Sequence, residues 1–441
     1  MKPTVTRTLF FNALSAAERN VEQYVKNPGR DMTRHRDCSF QDTVLATVSL
    51  SMGRTNTELF EFFSYSKKGR IPSKSAYTQQ RQKINGRLFP HLLDAFNHAV
   101  PLKNTYKGFH LIAADGTDLN LPADKNDTDY RIKQARSENF YYQMHVNALY
   151  DICENRFVSL ITQPRPKMNE KTAFLDLISK CSLPGNTIFI ADRGYASINT
   201  FATLIRLNRF FLIRAKCPRS DMLKGLVVPE IESDSIVNVG VTRSRKKNIS
   251  HKKFDKIFFL RPDRTFDFIS NDDLSTVYEM EFRCLCIKLS DDSFEYLITN
   301  LPKDTFGPDM IKTLYWKRWR IENSFRSLKY ALSLSYLHSV NRELIIQEVY
   351  AKVILYNITS VLHAYAQKSK ELSDKNKRAC HQYRISFNDA VPVAKALLKQ
   401  SIKNGIVKAL LLTHLTSVSE RGLVKPRKMR SQRVNPLGNR A

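Results

Sequence analysis

Long apolar segments are missing from this sequence of 441 residues. No run of about 18 apolar residues occurs, so no membrane-spanning helix is predicted. The apolar patch near the N-terminus is interrupted by Asn12 and Ser15, which makes it too weak for a signal peptide. The seven cysteines form no CxxC pair and no Cys/His spacing typical of zinc sites. A scattered, odd-numbered set of this kind indicates reduced thiols in a cytosolic protein.

Acidic residues are scarce relative to basic ones: 42 Asp and Glu stand against 70 Lys and Arg, which gives a net charge of +28. Such a charge concentrates polyanions and makes small-molecule metabolism a poor first hypothesis. Ribosomal or chromatin-type proteins can be this basic, but they are rarely this long and this apolar. With 42% hydrophobic residues the chain can bury a sizeable core, and its length suggests two or three domains.

Residues 1–105 are predicted to form a helical N-terminal domain. Apolar residues recur at helical spacing in FQDTVLATVSLSM, TNTELFEFFSY and SAYTQQRQKINGRLFPHLLDAFNHAV. A basic loop at residues 67–70 precedes the third of these helices. That helix adds three further basic residues, Arg81, Lys83 and Arg87. A cationic helical face fits contact with a DNA backbone, and a solvated helix face is the alternative.

Residues 106–214 are predicted to form the first part of an α/β core. GFHLIAAD and TIFIAD are short apolar runs typical of buried strands. HVNALYD and FVSLITQ flank a turn at residues 152–156, as the strands of a β-hairpin do. Helical patterns in MNEKTAFLDLISKC, with Asn169 as an N-cap candidate, and in INTFATLIRLN follow and alternate with strands. A hairpin followed by alternating strands and helices predicts a mixed sheet.

Residues 215–304 are predicted to be a β-rich insertion into that core, because their apolar runs are short and no long helix is evident. Cys284 and Cys286 would point to the same side of one strand, into the core. Six basic residues cluster here without an acidic residue among them: Arg243, Arg245, Lys246, Lys247, Lys252 and Lys253. We favour a nucleic-acid contact for this cluster over a solvated hairpin tip.

Helical patterns return after residue 304. Residues 305–366 are predicted to complete the core, with one helix through MIKTLYWKRWRIENSFRSLKYAL and a buried one through QEVYAKVILYNITSVLHAYAQ. Residues 367–441 are predicted to form a helical C-terminal region with a basic tail. Such a tail is expected to stay disordered until it binds a polyanion.

One face of the predicted helix around Glu322 carries a single carboxylate between cations. The members of this face are spaced by 3, 4, 4 and 3 residues: Tyr315, Arg318, Glu322, Arg326 and Lys329. At ~100° per residue they fall within an arc of roughly 80°. A surface helix with i,i+4 ion pairs would explain this spacing. Lys317 and Arg320 add more positive charge than one Glu can neutralise, and a phosphate-bearing partner would relieve that excess.

Two aspartates end predicted buried strands: Asp115 closes HLIAAD and Asp192 closes TIFIAD. Ligand sites in α/β sheets gather at the carboxyl ends of strands, although a single Asp there is often only a helix or turn cap. Together with Glu322, these residues could form an oxygen-ligand site for Mg²⁺. Two such ions about 4 Å apart can activate the attacking oxygen and stabilise the leaving oxygen of a phosphodiester.

These motifs resemble those of DDE transposases of the insertion-sequence-4 family. The family's signature, Tyr-x2-Arg-x3-Glu-x6-Lys, is matched at all four positions starting at Tyr315, and the surrounding RWRIENSFRSLK is also typical. ADGT around Asp115 and ADRGY around Asp192 look like the two catalytic-aspartate motifs of the family. The helical N-terminal region and the β-rich segment before Glu322 are also similar, so the resemblance covers most of residues 30–360.

The resemblance implies an RNase H-like mixed-sheet core that binds two Mg²⁺ ions, for which Mn²⁺ can substitute. The catalytic and metal-binding residues would be Asp115, Asp192 and Glu322. The phosphate-contacting residues would be Tyr315, Arg318 and Lys329, and weaker candidates for DNA contact are Arg193, Trp319 and Arg326. For Trp319, packing against its helix is the favoured alternative. His110 and His145 lie in predicted strands and are interpreted as structural.

The implied function is that of a cut-and-paste DNA transposase of a bacterial insertion sequence. Such an enzyme cuts double-stranded DNA at transposon ends and joins the 3′-hydroxyl to target DNA, as a homodimer on the cytoplasmic nucleoid. The alternatives are a stand-alone metal-dependent nuclease and an inactive, transposase-derived DNA-binding protein. Some family members cut through a DNA hairpin and hold a flipped base on a tryptophan of the insertion. Here Trp316 and Trp319 both lie outside that segment, which leaves a hairpin step open.

Overall fold

The computed structural model describes residues 1–34, 38–64, 70–135, 137–216, 222–245, 253–290, 293–374, 383–399, 402, 406–413 and 415–417. Several predicted basic features lie outside these residues: the loop at 67–69, the cations at 246, 247 and 252, and the tail after residue 417.

The described part of the N-terminal region contains five α-helices. They are α1 (Pro3–Arg19), α2 (Phe40–Ser49), α3 (Thr55–Phe63), α4 (Lys74–Lys83) and α5 (Leu88–Ala99). Ser39 begins α2 with a reciprocal capping box, and the Ser73 side chain caps α4. The third predicted helix is therefore two helices. The chain turns between them at Asn85, whose side-chain oxygen accepts a hydrogen bond from the backbone N–H of Arg87.

Arg81 does not belong to a cationic surface, contrary to the sequence prediction. It is 3% exposed, and its guanidinium pairs with the Glu348 carboxylate at 3.0 Å. It also donates to the carbonyl oxygen of Leu344 at 2.7 Å. Both partners belong to α10 (Arg342–Asp374), the apolar helix predicted for the core. A buried ion pair thus joins the N-terminal helices to the centre of the protein.

One mixed sheet of ten strands lies at the centre of the described structure. Its strands are β1 (His110–Leu121), β2 (Arg131–Lys133), β3 (Phe140–Asp151), β4 (Arg156–Pro164), β5 (Thr187–Ala191), β6 (Phe210–Arg214), β7 (Ser233–Thr242), β8 (Lys256–Phe259), β9 (Val277–Ser290) and β10 (Ser293–Thr299). Their order is β2-β3-β1-β5-β6-β10-β9-β7-β8, and β4 also pairs with β3. β3 runs antiparallel to β1 and β4, whereas β1, β5 and β6 are parallel. The prediction of a mixed α/β fold is confirmed.

The strands of the predicted insertion extend this sheet instead of forming a sheet of their own. β10 pairs antiparallel with β6, β9 pairs with β10, and β7 pairs with β9. Cys284 and Cys286 are both buried in β9, as predicted. The segment between β7 and β9 passes beside the core helices and later contributes to a cavity there.

Helices cover both faces of the sheet. One apolar core includes side chains of α8 (Pro308–Lys317), α9 (Trp319–Tyr330) and α10, and the other includes α6 (Glu170–Lys180) and α7 (Ile198–Arg206). Asn169 caps α6, as expected from an Asn just before an apolar helical pattern. Towards the C-terminus lie β11 (Tyr383–Ile385), α11 (Phe387–Leu398), α12 (Val407–Thr413) and β12 (Leu415–Ser417). Within the described residues, no helix has the length and apolar character needed to span a membrane.

Candidate active site

Asp115 and Asp192 lie at the same edge of the sheet on neighbouring parallel segments. β1 and β5 pair in register up to Ala114 and Ala191, so the next residue of each segment is an aspartate. Asp192 directly follows β5, as predicted. Asp115 does not end its strand, contrary to the prediction. β1 continues to Leu121 because β3 remains paired with it beyond the end of β5.

Glu322 reaches this edge from helix α9. One guanidinium connects it to Asp115: Arg318 Nη2 donates to Glu322 Oε1 at 2.8 Å, and Arg318 Nη1 lies 3.7 Å from Asp115 Oδ2. Arg318 is 6% exposed and lies at the junction of α8 and α9. The single helix predicted here is thus two segments, and the residue between them bridges two of the three predicted catalytic carboxylates.

The electrostatics of the site are dominated by burial of Asp115. Burial raises the pKa of the Asp115 carboxyl to about 6, and the charges of Glu322 and Asp192 act in the same direction. Arg318 and the backbone N–H of Gly116, which donates to Asp115 Oδ1 at 2.9 Å, oppose this shift. A buried acid with two carboxylates nearby is a place where added positive charge is favourable.

The donor set suits a hard divalent cation, because it consists of carboxylate oxygens. The buried hydroxyl of Tyr195, which is influenced by the charges of Asp115 and Asp192, has no hydrogen-bond partner among the described residues. Arg318 already supplies one positive charge between Asp115 and Glu322. In the described part of the chain, no three acidic, His or Cys side chains converge closely enough to hold one ion. The residues therefore fit a divalent cation in chemistry and charge, although their side chains do not converge on a single point.

The signature side chains predicted to contact phosphates are turned inward. Tyr315 is 2% exposed, and the Arg318 guanidinium lies 5.8 Å from its ring centroid. Lys329 Nζ donates to the backbone carbonyl of Asp118 on β1 at 2.8 Å. Arg318 contacts two of the candidate catalytic carboxylates, Tyr315 packs beside Arg318, and Lys329 is engaged with the backbone of β1.

The weaker candidates for DNA contact lie at the surface. Trp319 is 53% exposed, with the Arg318 guanidinium 5.3 Å from its ring, so the preferred alternative of a packed Trp319 is wrong. Arg193 and Arg326 are exposed, and neither forms an ion pair with another described residue. Of the two i,i+4 pairs considered for Glu322, the described structure contains the one with Arg318 and not the one with Arg326.

A second polar cluster at the same edge is absent from the sequence predictions. His145 lies in β3, as predicted, but its Nδ1 is 2.6 Å from Asp118 Oδ1 and its Nε2 is 3.3 Å from Glu170 Oε1. Arg165 Nε donates to Asp118 Oδ2 at 3.0 Å. Burial opposes protonation of His145, but its interactions with Asp118 and Glu170 raise its pKa to about 9. The imidazole is therefore charged at neutral pH.

Two glycines permit the close packing around these groups. A Cβ atom at Gly116 would lie 2.3 Å from His145 Nε2. A Cβ atom at Gly194 would lie 3.0 Å from both Asp192 Oδ1 and Glu170 Oε2. The glycines after the two aspartates were the available sequence signal for this second cluster, because a glycine beside a polar residue allows a neighbouring side chain to approach the backbone.

Comparison with known proteins assigns a domain family to this sequence. A family model described as the transposase DDE domain matches residues 107–358, a segment that includes Asp115, Asp192 and Glu322. No curated protein matches the chain. Among solved structures, the cryo-electron microscopy structure of a piggyBac transposase synaptic complex with hairpin DNA is similar with a TM-score of 0.49 and 11% identity. That match covers 91% of this chain and 80% of the other. Since the family model spans more than half of the sequence, this chain belongs to the family of proteins with a transposase DDE domain.

Proposed function

We propose that this chain is a DNA transposase of a bacterial insertion sequence, of the insertion-sequence-4 family. It cuts double-stranded DNA at transposon ends, and the resulting 3′-hydroxyl attacks target DNA. The observation that carries this proposal is the register of β1 and β5, which sets Asp115 beside Asp192, together with the link from Asp115 through Arg318 to Glu322. This observation is made in a chain that contains a transposase DDE domain.

The sheet topology supports an RNase H-like core. The strand order β4-β3-β1-β5-β6 contains an antiparallel set of three strands followed by two strands parallel to β1. This is the order expected of an RNase H-like sheet. In chain order β1 and β5 are the first and fourth of these five strands. Catalytic carboxylates at the edge that β1 and β5 share fit that assignment.

In this proposal Asp115, Asp192 and Glu322 hold two Mg²⁺ ions, for which Mn²⁺ can substitute. When bound, such ions activate the attacking oxygen and stabilise the leaving oxygen of a phosphodiester. Arg318 keeps the side chains of Asp115 and Glu322 near each other, and Tyr315 packs beside its guanidinium. The side chains assigned to the phosphates of the cut end are Tyr315, Arg318 and Lys329, with Arg193, Trp319 and Arg326 as outer contacts.

The partner is double-stranded DNA, both at the transposon ends and at the target. A net charge of +28 supports this partner, because it favours association with polyanions. We further propose that the protein acts as a homodimer on paired ends, at the nucleoid of a bacterial cytoplasm.

The experiment is a cleavage and joining assay on a labelled duplex carrying the DNA that flanks this gene. The reaction is run with Mg²⁺ and with EDTA. Glu322→Gln is compared with Glu343→Gln, which alters a surface ion pair with Lys26 and serves as the matched control. We expect Mg²⁺-dependent cuts at the transposon ends and joined products from wild type and Glu343→Gln, and neither from Glu322→Gln.

The other outcomes favour the alternatives. Scattered cuts without joined products would indicate a stand-alone nuclease. DNA binding without cuts, equal in wild type and Glu322→Gln, would indicate an inactive DNA-binding protein.

A further inference from the structure

An open cavity of about 690 Å³ lies beside the segment that carries Asp192. Arg193 and Gly194, the two residues after this aspartate, line its wall. Most of the remaining lining comes from the first turns of α6 and α7, from Lys216 and Met222 after β6, and from residues 258–266, in the segment between β7 and β9. The cavity therefore connects the candidate active site with the part of the chain predicted to be an insertion.

Positive charge dominates the lining of this cavity. It contains five cationic side chains, from Lys171, Arg193, Lys216, Arg261 and Arg264, and a single carboxylate, from Asp263. None of these five cations forms an ion pair or side-chain hydrogen bond with another described residue. Like charges held together in this way repel one another, and an anion between them would remove the repulsion.

The repulsion between these cations affects the pKa of Lys171. Burial lowers the pKa of its ammonium group, the positive charges of Arg264 and Lys216 lower it further, and the carboxylate of Glu170 opposes this shift to a smaller extent. The cations therefore act on one another across the cavity and are not independent surface charges. By contrast, Arg318 and Lys329 of the signature are engaged with protein oxygens.

The wall that carries Arg261 and Arg264 is fixed in place by the protein. Arg243, which is 8% exposed, donates to the backbone carbonyls of both residues at 3.2 Å. The same wall is tied to the first turn of α7 by two hydrogen bonds between Asn199 and Asp267, at 2.8 and 2.9 Å. The side chains of Arg261 and Arg264 therefore extend from a backbone that these hydrogen bonds hold in place.

The two helices that border the cavity add to its positive potential. The N-cap residues Asn169 and Ser197 of α6 and α7 both line it. Backbone N–H groups and the helix dipole make the N-terminus of a helix favourable for anions. Together with an excess of four positive side-chain charges, this surface can accept more than one phosphate group.

We infer that this cavity binds consecutive backbone phosphates of the DNA strand that passes Asp192. The inference rests on the proposed function, because that function supplies the DNA strand. In this inference the phosphates of the strand are contacted by Lys171, Lys216, Arg261 and Arg264. The segment at 258–266 then forms one side of the phosphate-binding cavity that holds the strand next to the active site.

The test is lysine acetylation of the full-length protein, followed by mass spectrometry, without ligand, with a 30-base-pair duplex or with 10 mM inorganic phosphate. Lys171 and Lys216 report on the cavity, and Lys180, at the opposite end of α6, is the internal control. With DNA at about ten times its Kd, we expect acetylation of Lys171 and Lys216 to slow about tenfold. Lys180 should change far less, and inorganic phosphate should protect neither cavity residue to the same extent.

The outcomes separate this inference from the proposed function. DNA that binds in a mobility-shift assay but protects Lys171 no more than Lys180 would overturn the inference and leave the proposed function standing. Protection by inorganic phosphate as strong as that by DNA would overturn it in favour of a small-anion site. Failure of any DNA to bind would overturn both.

Matched variants provide a second measurement. The double variant Lys171→Gln/Arg264→Gln removes two cavity charges and retains the backbone carbonyl that Arg243 contacts. The control Lys180→Gln/Arg19→Gln removes the same two residue types from the ends of α6 and α1. We expect the slope of log K against log salt for duplex binding to become less negative by about 1.8 in the cavity variant. An equal change in the control would overturn the inference.

Discussion

Replacing Asp115 by Asn should stabilise the metal-free protein and abolish DNA cleavage. The side chain of Asp115 is 19% exposed, and its pKa is raised to about 6 from 3.8, chiefly by burial. This shift of about two units corresponds to about 3 kcal/mol of unfolding free energy. An amide avoids the burial of a charge, and its oxygen can still accept the hydrogen bond from Gly116.

The stabilisation should depend on pH in a defined direction. The folded-state pKa of Asp115 lies above its unfolded value, so the folded protein binds more protons than the unfolded chain between about pH 4 and 6. Wild-type stability therefore falls as the pH rises through this window. The Asn variant lacks this loss, so its advantage should grow from near zero at about pH 4 to about 3 kcal/mol at pH 7.5.

The assay is urea denaturation of both proteins in EDTA from pH 4 to 8, followed by circular dichroism. Asp304→Asn, at an exposed position, is the control and should change stability by less than about 0.5 kcal/mol. A less stable Asn variant at pH 7.5, or a difference that does not vary with pH, would refute the view that Asp115 is held at an energetic cost. Adding Mg²⁺ should raise the stability of wild type and not of Asp115→Asn.

Three further predictions concern other side-chain contacts. Glu348→Gln leaves buried Arg81 without its counter-charge and should lower the unfolding free energy by about 3–5 kcal/mol in urea denaturation. Burial alone would raise the pKa of the Glu348 carboxyl, but other interactions, mainly the charge of Arg81, lower it to about 2. The stabilisation by this ion pair is therefore present above pH 4.5 and is lost as the pH falls towards 2. Gly116→Ala places a methyl group against His145 and should cost about 1–3 kcal/mol in thermal unfolding. Adding His145→Ala should recover part of this loss, and no recovery would contradict the steric explanation. Lys329→Ala should weaken binding of end DNA by about 1.5–3 kcal/mol, because a charge-assisted phosphate contact is lost; an unchanged Kd would exclude that contact.

Features set by local sequence could be predicted well. The cap of α6 at Asn169 and the β3–β4 hairpin depend on residues a few positions apart, and both are present. The same holds for the position of Asp192, because a short apolar run followed by a polar residue specifies where a buried strand ends. Asp115 was harder to place, because the continuation of β1 depends on its pairing with β3.

Several features set by contacts distant in sequence could not be predicted. Arg81 looks like a surface cation in its own helix, and only Glu348, 267 residues later, explains its burial. His145 lies opposite Asp118 because of the β1–β3 register, which the sequence pattern does not specify. The break at Arg318 is likewise invisible in a helical spacing that continues on both sides of it. The second polar cluster and the bridge at Arg318 therefore depend on the fold as a whole.

The central claim is that Asp115, Asp192 and Glu322, from three separate segments, form one metal-binding site. The most direct measurement is iron-mediated cleavage of the protein backbone, with Fe²⁺ and ascorbate replacing Mg²⁺ and duplex DNA present. Radicals formed at a bound ion cut the chain nearby, so we predict fragments that end near all three residues. The cuts should disappear with excess Mg²⁺ and in Glu322→Gln, and persist in Glu343→Gln. Cuts near only one of the three segments, or cuts unchanged in Glu322→Gln, would contradict a shared site.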